Sequence, residues 1–140
     1  MKKRLLLLIA PIIALVLECL PYGVVLNFAA GGNGAENIRV TYSYFALTPF
    51  GYATFGPLPA AVLTCVVILL TLIYVFKPST GLESTAGVLS IVSAILSASP
   101  IAFVFLGSAL SDNLTVIGAI VTLLLILEGV LFLLSKKKTA

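Results

Sequence analysis

The chain has 140 residues, 61% of them hydrophobic and 9% charged, with a net charge of +3 and neither His nor Trp. A soluble domain carries about 25% charged residues, so lipid must act as solvent for much of this chain. Its two cysteines, Cys19 and Cys65, lie inside apolar runs as neither a disulfide framework nor a metal-ligand pattern, and its basic residues flank apolar segments, which gives no footing for nucleic acid.

A helix needs about 20 apolar residues to cross the hydrocarbon of a bilayer. Four stretches qualify, at residues 5–26, 58–76, 86–107 and 114–134. The first follows Lys2-Lys-Arg4 and is interrupted only by Glu18. A secretory signal is its competing reading. Against it, no small-x-small cleavage site follows, and the apolar run continues past Glu18 to Leu26, too long for a signal core.

Residues 27–57 form a loop of 31 residues, longer than a simple connector needs. Its glycine-rich start, residues 29–35, is flexible by composition. Ile38 to Phe45 alternates, with Ile38, Val40, Tyr42 and Tyr44 on one strand face. A turn at Leu47-Thr-Pro49 would lead back through residues 50–55, giving a short β-hairpin over the end of the helices. Six aromatic residues, Tyr42, Tyr44, Phe45, Phe50, Tyr52 and Phe55, crowd into this segment beside Arg39. They suit an interfacial belt or, alternatively, a recognition surface for a partner protein or lipid-like ligand.

Residues 77–83 carry a Pro and a Gly and read as the turn between the second and third spans; residues 108–113 join the third to the fourth. Seven basic residues (Lys2, Lys3, Arg4, Lys77, Lys136, Lys137, Lys138) fall on one side of these spans and Arg39 alone on the other. The positive-inside rule then puts both termini in the cytoplasm. The expected fold is an all-α membrane protein: an antiparallel four-helix transmembrane bundle, one domain over residues 1–140, with a long outer loop.

Lipid removes most of the hydrophobic drive between helices, so small and polar residues must make the contacts. Each span has such a stripe: Pro11, Ala14, Glu18, Pro21 and Tyr22; Ala60, Ala61, Thr64, Ile68 and Thr71; Gly87, Ser90, Ser93, Ala94, Ser97 and Ala98; Thr115, Gly118, Thr122 and Gly129. The bland account of each Ser and Thr is close packing plus a bond to its own helix. Pro11, Pro21 and Pro100 should bend their helices.

Glu18 and Glu128 are the intramembrane acids. An ionisable group inside a span is costly and therefore a functional candidate. The Glu18 carboxyl is expected as a neutral acid donating to Thr64, Ser97 or Thr122 at similar depth, unless Arg39 folds down to it; Pro21 would free the Leu17 carbonyl beside it. Glu128 is expected to reach towards the inner interface or a nearby Lys. Cys19 and Cys65 should be free, buried thiols at similar depth.

The opening MKKRLLLLIAP, Glu18-Cys-Leu-Pro-Tyr-Gly23 and above all Tyr42 to Pro57 running into Leu63-Thr-Cys65 resemble a group of small uncharacterised four-span membrane proteins of Gram-positive bacteria. That resemblance covers the whole chain. It implies a bacterial plasma membrane and brings no activity.

Three functional classes remain to be weighed. One is a non-catalytic accessory or structural protein acting through the aromatic loop on a membrane protein partner or on a second copy in a homo-oligomer. Another is a small proton-linked transporter, or a subunit of one, using Glu18. An enzyme is disfavoured, because no His, metal cluster, phosphate loop or nucleophile with a base beside it is evident. No cofactor is implied. A polar cavity reaching Glu18 would favour transport, and a sealed bundle beneath an exposed loop would favour the accessory role.

Overall fold

The computed structural model describes residues 2–28, 38–50, 54–100 and 115–136. The chain opens with helix α1 (Lys2–Leu5), a 3-10 turn (Leu6–Leu8) and helix α2 (Ile9–Cys19) in unbroken succession. Two strands follow, β1 (Val24–Phe28) and β2 (Ile38–Tyr42), then three long helices, α3 (Pro57–Phe76), α4 (Thr80–Ser97) and α5 (Val116–Lys136). These three are long and apolar enough to cross a membrane; the helical stretch Leu6–Cys19 is shorter.

Prolines punctuate this pattern. Pro11 has no N–H to give the Leu7 carbonyl, and its ring crowds that carbonyl. The chain tightens to 3-10 geometry over Leu6–Leu8, where Ile9 N–H donates to the Leu6 carbonyl. Pro57 begins α3, where a missing N–H is harmless. Pro78 follows the end of α3, whose last N–H bond runs from Lys77 to the Ile73 carbonyl at 2.7 Å.

The predicted first span is corrected at its far end. The helix stops at Cys19, and residues 24–26 lie in β1. The Leu17 carbonyl is not left free beside Pro21 but accepts Leu20 N–H at 3.1 Å. The reason lies in the sequence after Pro21: Gly23 opens a turn, and the β-branched Val24-Val25 suits an extended chain. An extended backbone needs a partner for its N–H and C=O groups, and β2 provides it.

The hairpin is also corrected. A strand does form at Ile38–Tyr42, but it pairs antiparallel with β1, Val24 opposite Tyr42 and Phe28 opposite Ile38. Among the described residues of the expected return arm, Phe50 and Thr54 form an isolated bridge. The α4 helix begins at Thr80, six residues before the predicted span, while α3 and α5 start within two residues of expectation. The glycine-rich residues 29–35, Tyr52, the outer part of the third span and its link to the fourth lie outside the described residues.

The helices form an up-and-down bundle in which α2 packs on α3 and α5, and α4 packs on α3 and α5. Contacts fix the antiparallel sense: Thr64 of α3 meets Ser93 of α4, and Ser97 of α4 meets Thr122 of α5. The small-residue stripes face inward. Ala14, Ala60, Ala61, Ser90 and Ser93 are wholly buried, whereas Val88, Ile95, Leu69 and Leu123 are exposed. Pro21 and Tyr22 leave the first stripe and are exposed, because the helix has already ended.

Where α4 meets α5, Gly87 and Gly129 face each other. A Cβ added to Gly129 would stand 3.1 Å from the Gly87 carbonyl oxygen, so the absence of side chains is what lets the backbones approach. Apolar contacts gather in two clusters. One, under the hairpin, contains Ala14, Val24, Tyr44, Ala60, Ala94, Val121 and Leu125. The other, at the far end, contains Tyr74, Ala86 and Phe132, with the Tyr74 and Phe132 rings edge-to-face at 6.1 Å.

Candidate functional site: buried acids beneath an aromatic cap

Glu18 sits in the last turn of α2, not deep within a longer span. Its side chain is fully buried. Thr64 Oγ1 of α3 lies 2.9 Å from Glu18 Oε1 and 3.0 Å from the Ala60 carbonyl oxygen. Ser93 of α4 completes the layer, donating to that same carbonyl at 2.9 Å. Glu18 Oε2 is buried with no hydrogen-bond partner among the described residues. Arg39 is exposed on β2 and does not come down to the acid.

The cap over this layer is Tyr44, only 1% exposed. Its backbone N–H donates to the Glu18 carbonyl at 3.0 Å, so the loop closes the C-terminal end of α2. Its ring packs on Gly23, where an added Cβ would stand 2.6 Å from Tyr44 Cδ1. Its hydroxyl reaches Ser97 Oγ at 2.9 Å, which lies 2.9 Å from Thr122 Oγ1. Thr122 donates to the Gly118 carbonyl at 2.9 Å. Because each hydroxyl has one hydrogen, the chain has a single direction: Tyr44 donates to Ser97, Ser97 to Thr122, and Thr122 to the backbone. Burial pushes the Tyr44 phenol up to about 12, which keeps it a donor.

Of the three neighbours expected for Glu18, Thr64 is one in fact. Ser97 and Thr122 belong instead to the Tyr44 chain, one turn or more towards the hairpin. Ser93 takes their place; it was legible as a stripe residue but not as a partner of the acid layer.

Glu128 departs further from expectation. Among the described residues it meets no lysine: it is 1% exposed, with Ser90 Oγ 2.9 Å from its Oε2. Ser90 Oγ is also 3.0 Å from the Leu125 carbonyl oxygen. Glu128 Oε1 is buried without a hydrogen-bond partner among the described residues. The cause is the Gly87–Gly129 approach, which holds α4 against α5 and folds the carboxyl inward onto Ser90.

At the far end a polar cluster gathers that the sequence did not single out. The Arg4 guanidinium lies 5.7 Å from the centre of the Tyr74 ring. Tyr74 lines one cavity with the Arg4 and Glu83 side chains, and Ser135 donates to Glu83. These four residues tie together the ends of α1, α3, α4 and α5 beside this cavity of about 160 Å³. Glu83 had been placed in a connecting turn; it is the first-turn acid of α4 and is 3% exposed.

The loop aromatics divide. Tyr44 is the cap and Tyr42 is half-buried, while Phe45, Phe50 and Phe55 are exposed by 36%, 42% and 62%. Phe50 and Phe55 meet edge-to-face at 5.6 Å. Both cysteines are free; Cys65 is partly buried, but Cys19 is exposed, because α2 ends there. Among the described residues no group of His, Cys, Asp and Glu could hold a metal ion. Comparison with protein-family models, with curated protein sequences and with solved structures gives no match for this chain.

Proposed function

We propose that this protein is a non-catalytic accessory or structural component of a bacterial plasma membrane, spanning it four times with both termini cytoplasmic and offering its aromatic loop to a membrane protein partner. The observation that carries the reading is the pairing of a buried acid layer, capped by Tyr44, with exposed aromatic residues on the same loop. Glu18, Thr64 and Ser93 are wholly buried beneath Tyr44, while Phe45, Phe50 and Phe55 face outward. That is the combination expected of an accessory role rather than of a carrier, which needs water to reach its acid.

Four crossings are supported by the length of the first helical run. Its apolar part, residues 5–19, covers roughly 22 Å at 1.5 Å per residue, most of the hydrocarbon thickness, with Lys2, Lys3 and Arg4 at its edge. The seven-to-one basic bias supports the orientation, and the resemblance to small Gram-positive membrane proteins supports the location.

The test is a photo-crosslinking residue placed at Phe55, with one at lipid-facing Leu69 as control, in cells making the full chain. A discrete adduct from position 55, absent from position 69 and lost when Phe45 and Phe50 are changed to Ser, supports the reading. Lipid adducts alone from both positions would reject it. The competing transport reading predicts proton-linked flux from the protein in vesicles, abolished by Glu18→Gln.

A further inference from the structure

We infer that the bundle contains two single-proton binding sites: Glu18 and Glu128 are held as neutral carboxylic acids, each donating its hydrogen to a hydroxyl on a facing helix. Nothing in the aromatic-loop reading requires this, and it stands on separate observations.

The first observation is a count of hydrogens. Thr64 Oγ1 lies at bonding distance from two acceptors, Glu18 Oε1 at 2.9 Å and the Ala60 carbonyl at 3.0 Å. Ser90 Oγ repeats the pattern, with Glu128 Oε2 at 2.9 Å and the Leu125 carbonyl at 3.0 Å. A hydroxyl has one hydrogen and two lone pairs. Were Glu128 ionised, Ser90 would face two acceptors with one hydrogen; at Glu18 the Ala60 carbonyl also takes the Ser93 hydrogen, so there the case rests on the second and third observations. With the acid neutral, the carboxyl donates to the hydroxyl and the hydroxyl donates to the backbone carbonyl, and every oxygen in the pair of contacts has its hydrogen.

The second observation is the other carboxyl oxygen. Glu18 Oε2 and Glu128 Oε1 are both buried and unpartnered among the described residues. A carboxylate would spread half its charge onto that oxygen with nothing to receive it, the least favourable arrangement in a low-dielectric interior. In a neutral acid the same atom is a carbonyl oxygen, whose desolvation is far less costly.

The third is the surroundings. Among the described residues, the titratable groups facing Glu18 are Tyr44 from the cap and Cys65 from α3, with hydroxyls from Thr64 and Ser93. Glu128 is faced by Ser90 from α4. None of these brings a positive charge.

The two protons occupy different seams. One latches α2 to α3 in the layer under the cap; the other latches α5 to α4 further along the bundle. The ligand at each is a proton, and loss of either would leave a buried, unpaired charge between helices.

Infrared spectroscopy of the full chain at neutral pH in dodecyl maltoside micelles, a detergent with no carbonyl group, tests this directly. The parent protein should show the carbonyl stretch of protonated carboxyl groups. Glu18→Gln and Glu128→Gln should each remove part of that band, and the double variant should remove the shares of both. Absence of the band from the parent would overturn the inference whether or not any variant folds. So would a band of undiminished strength in the double variant.

Discussion

Tyr44 carries more of the structure than any other single residue of the loop. It closes α2 with its N–H, fills the space over Gly23 with its ring, and starts the hydroxyl chain to Thr122. These contributions are separable. Tyr44→Phe keeps the ring and removes one interhelical hydrogen bond, and should lower stability by about 0.6–1.5 kcal/mol. Tyr44→Ala removes the ring as well and should cost about 3–5 kcal/mol, the range for deleting a buried aromatic. Unfolding in mixed micelles by a denaturing detergent measures both, and equal losses would mean that the ring contributes nothing. Gly56 makes a second residue-scale prediction. A Cβ there would collide with Ser99 Oγ and with the Leu96 backbone carbonyl. Backbone cannot rotate aside, so Gly56→Ala should cost at least the ~1–3 kcal/mol of ordinary overpacking and be read as a lower unfolding midpoint. Gly56 was not singled out in the sequence, because closeness to α4 is a property of the folded chain.

Among the elements, the α4–α5 seam depends on small residues on both of its helices. Gly129→Val would drive two methyl groups towards Ile91, whose Cδ1 lies 2.6 Å from an added Cβ, and towards the Gly87 carbonyl. The seam should open at a cost of about 1–3 kcal/mol, and with it the contact between Ser90 and Glu128. Gly81, in the first turn of α4, is the control: only Ser79 Oγ, at 3.6 Å, lies near an added Cβ. Gly81→Ala should be neutral or stabilising by up to ~1 kcal/mol, the helix-propensity difference. If both substitutions act alike, helix propensity rather than close approach governs the seam. The inward stripe on α4 was legible as a run of small residues at helical spacing, and it is buried as expected. The partner of β2 was not. Residues 24–26 had been absorbed into an apolar span and residues 27–28 into the loop, since hydropathy alone does not separate a buried strand from the end of a membrane helix.

For the whole molecule, the orientation rests on charge and is open to a direct measurement. In a variant with Cys19 and Cys65 changed to Ala, a cysteine at Asn33 should react with an impermeant thiol reagent in intact cells, and one at Ser79 should not. The opposite labelling would invert the topology and place the aromatic cap in the cytoplasm. The sequence by itself determined the apolar character, the three long apolar helices and the inward faces of α3, α4 and α5, since all of these follow from composition and from the helical period within one stretch of chain. Only the tertiary structure decided where the first helix ends, which strand pairs with β2, that Tyr44 rather than Arg39 covers Glu18, and that Glu128 turns inward to Ser90. Each of these is a contact between segments far apart in sequence. Each is settled by where a buried hydrogen-bonding group can find a partner, and that depends on which backbones can approach closely enough to offer one.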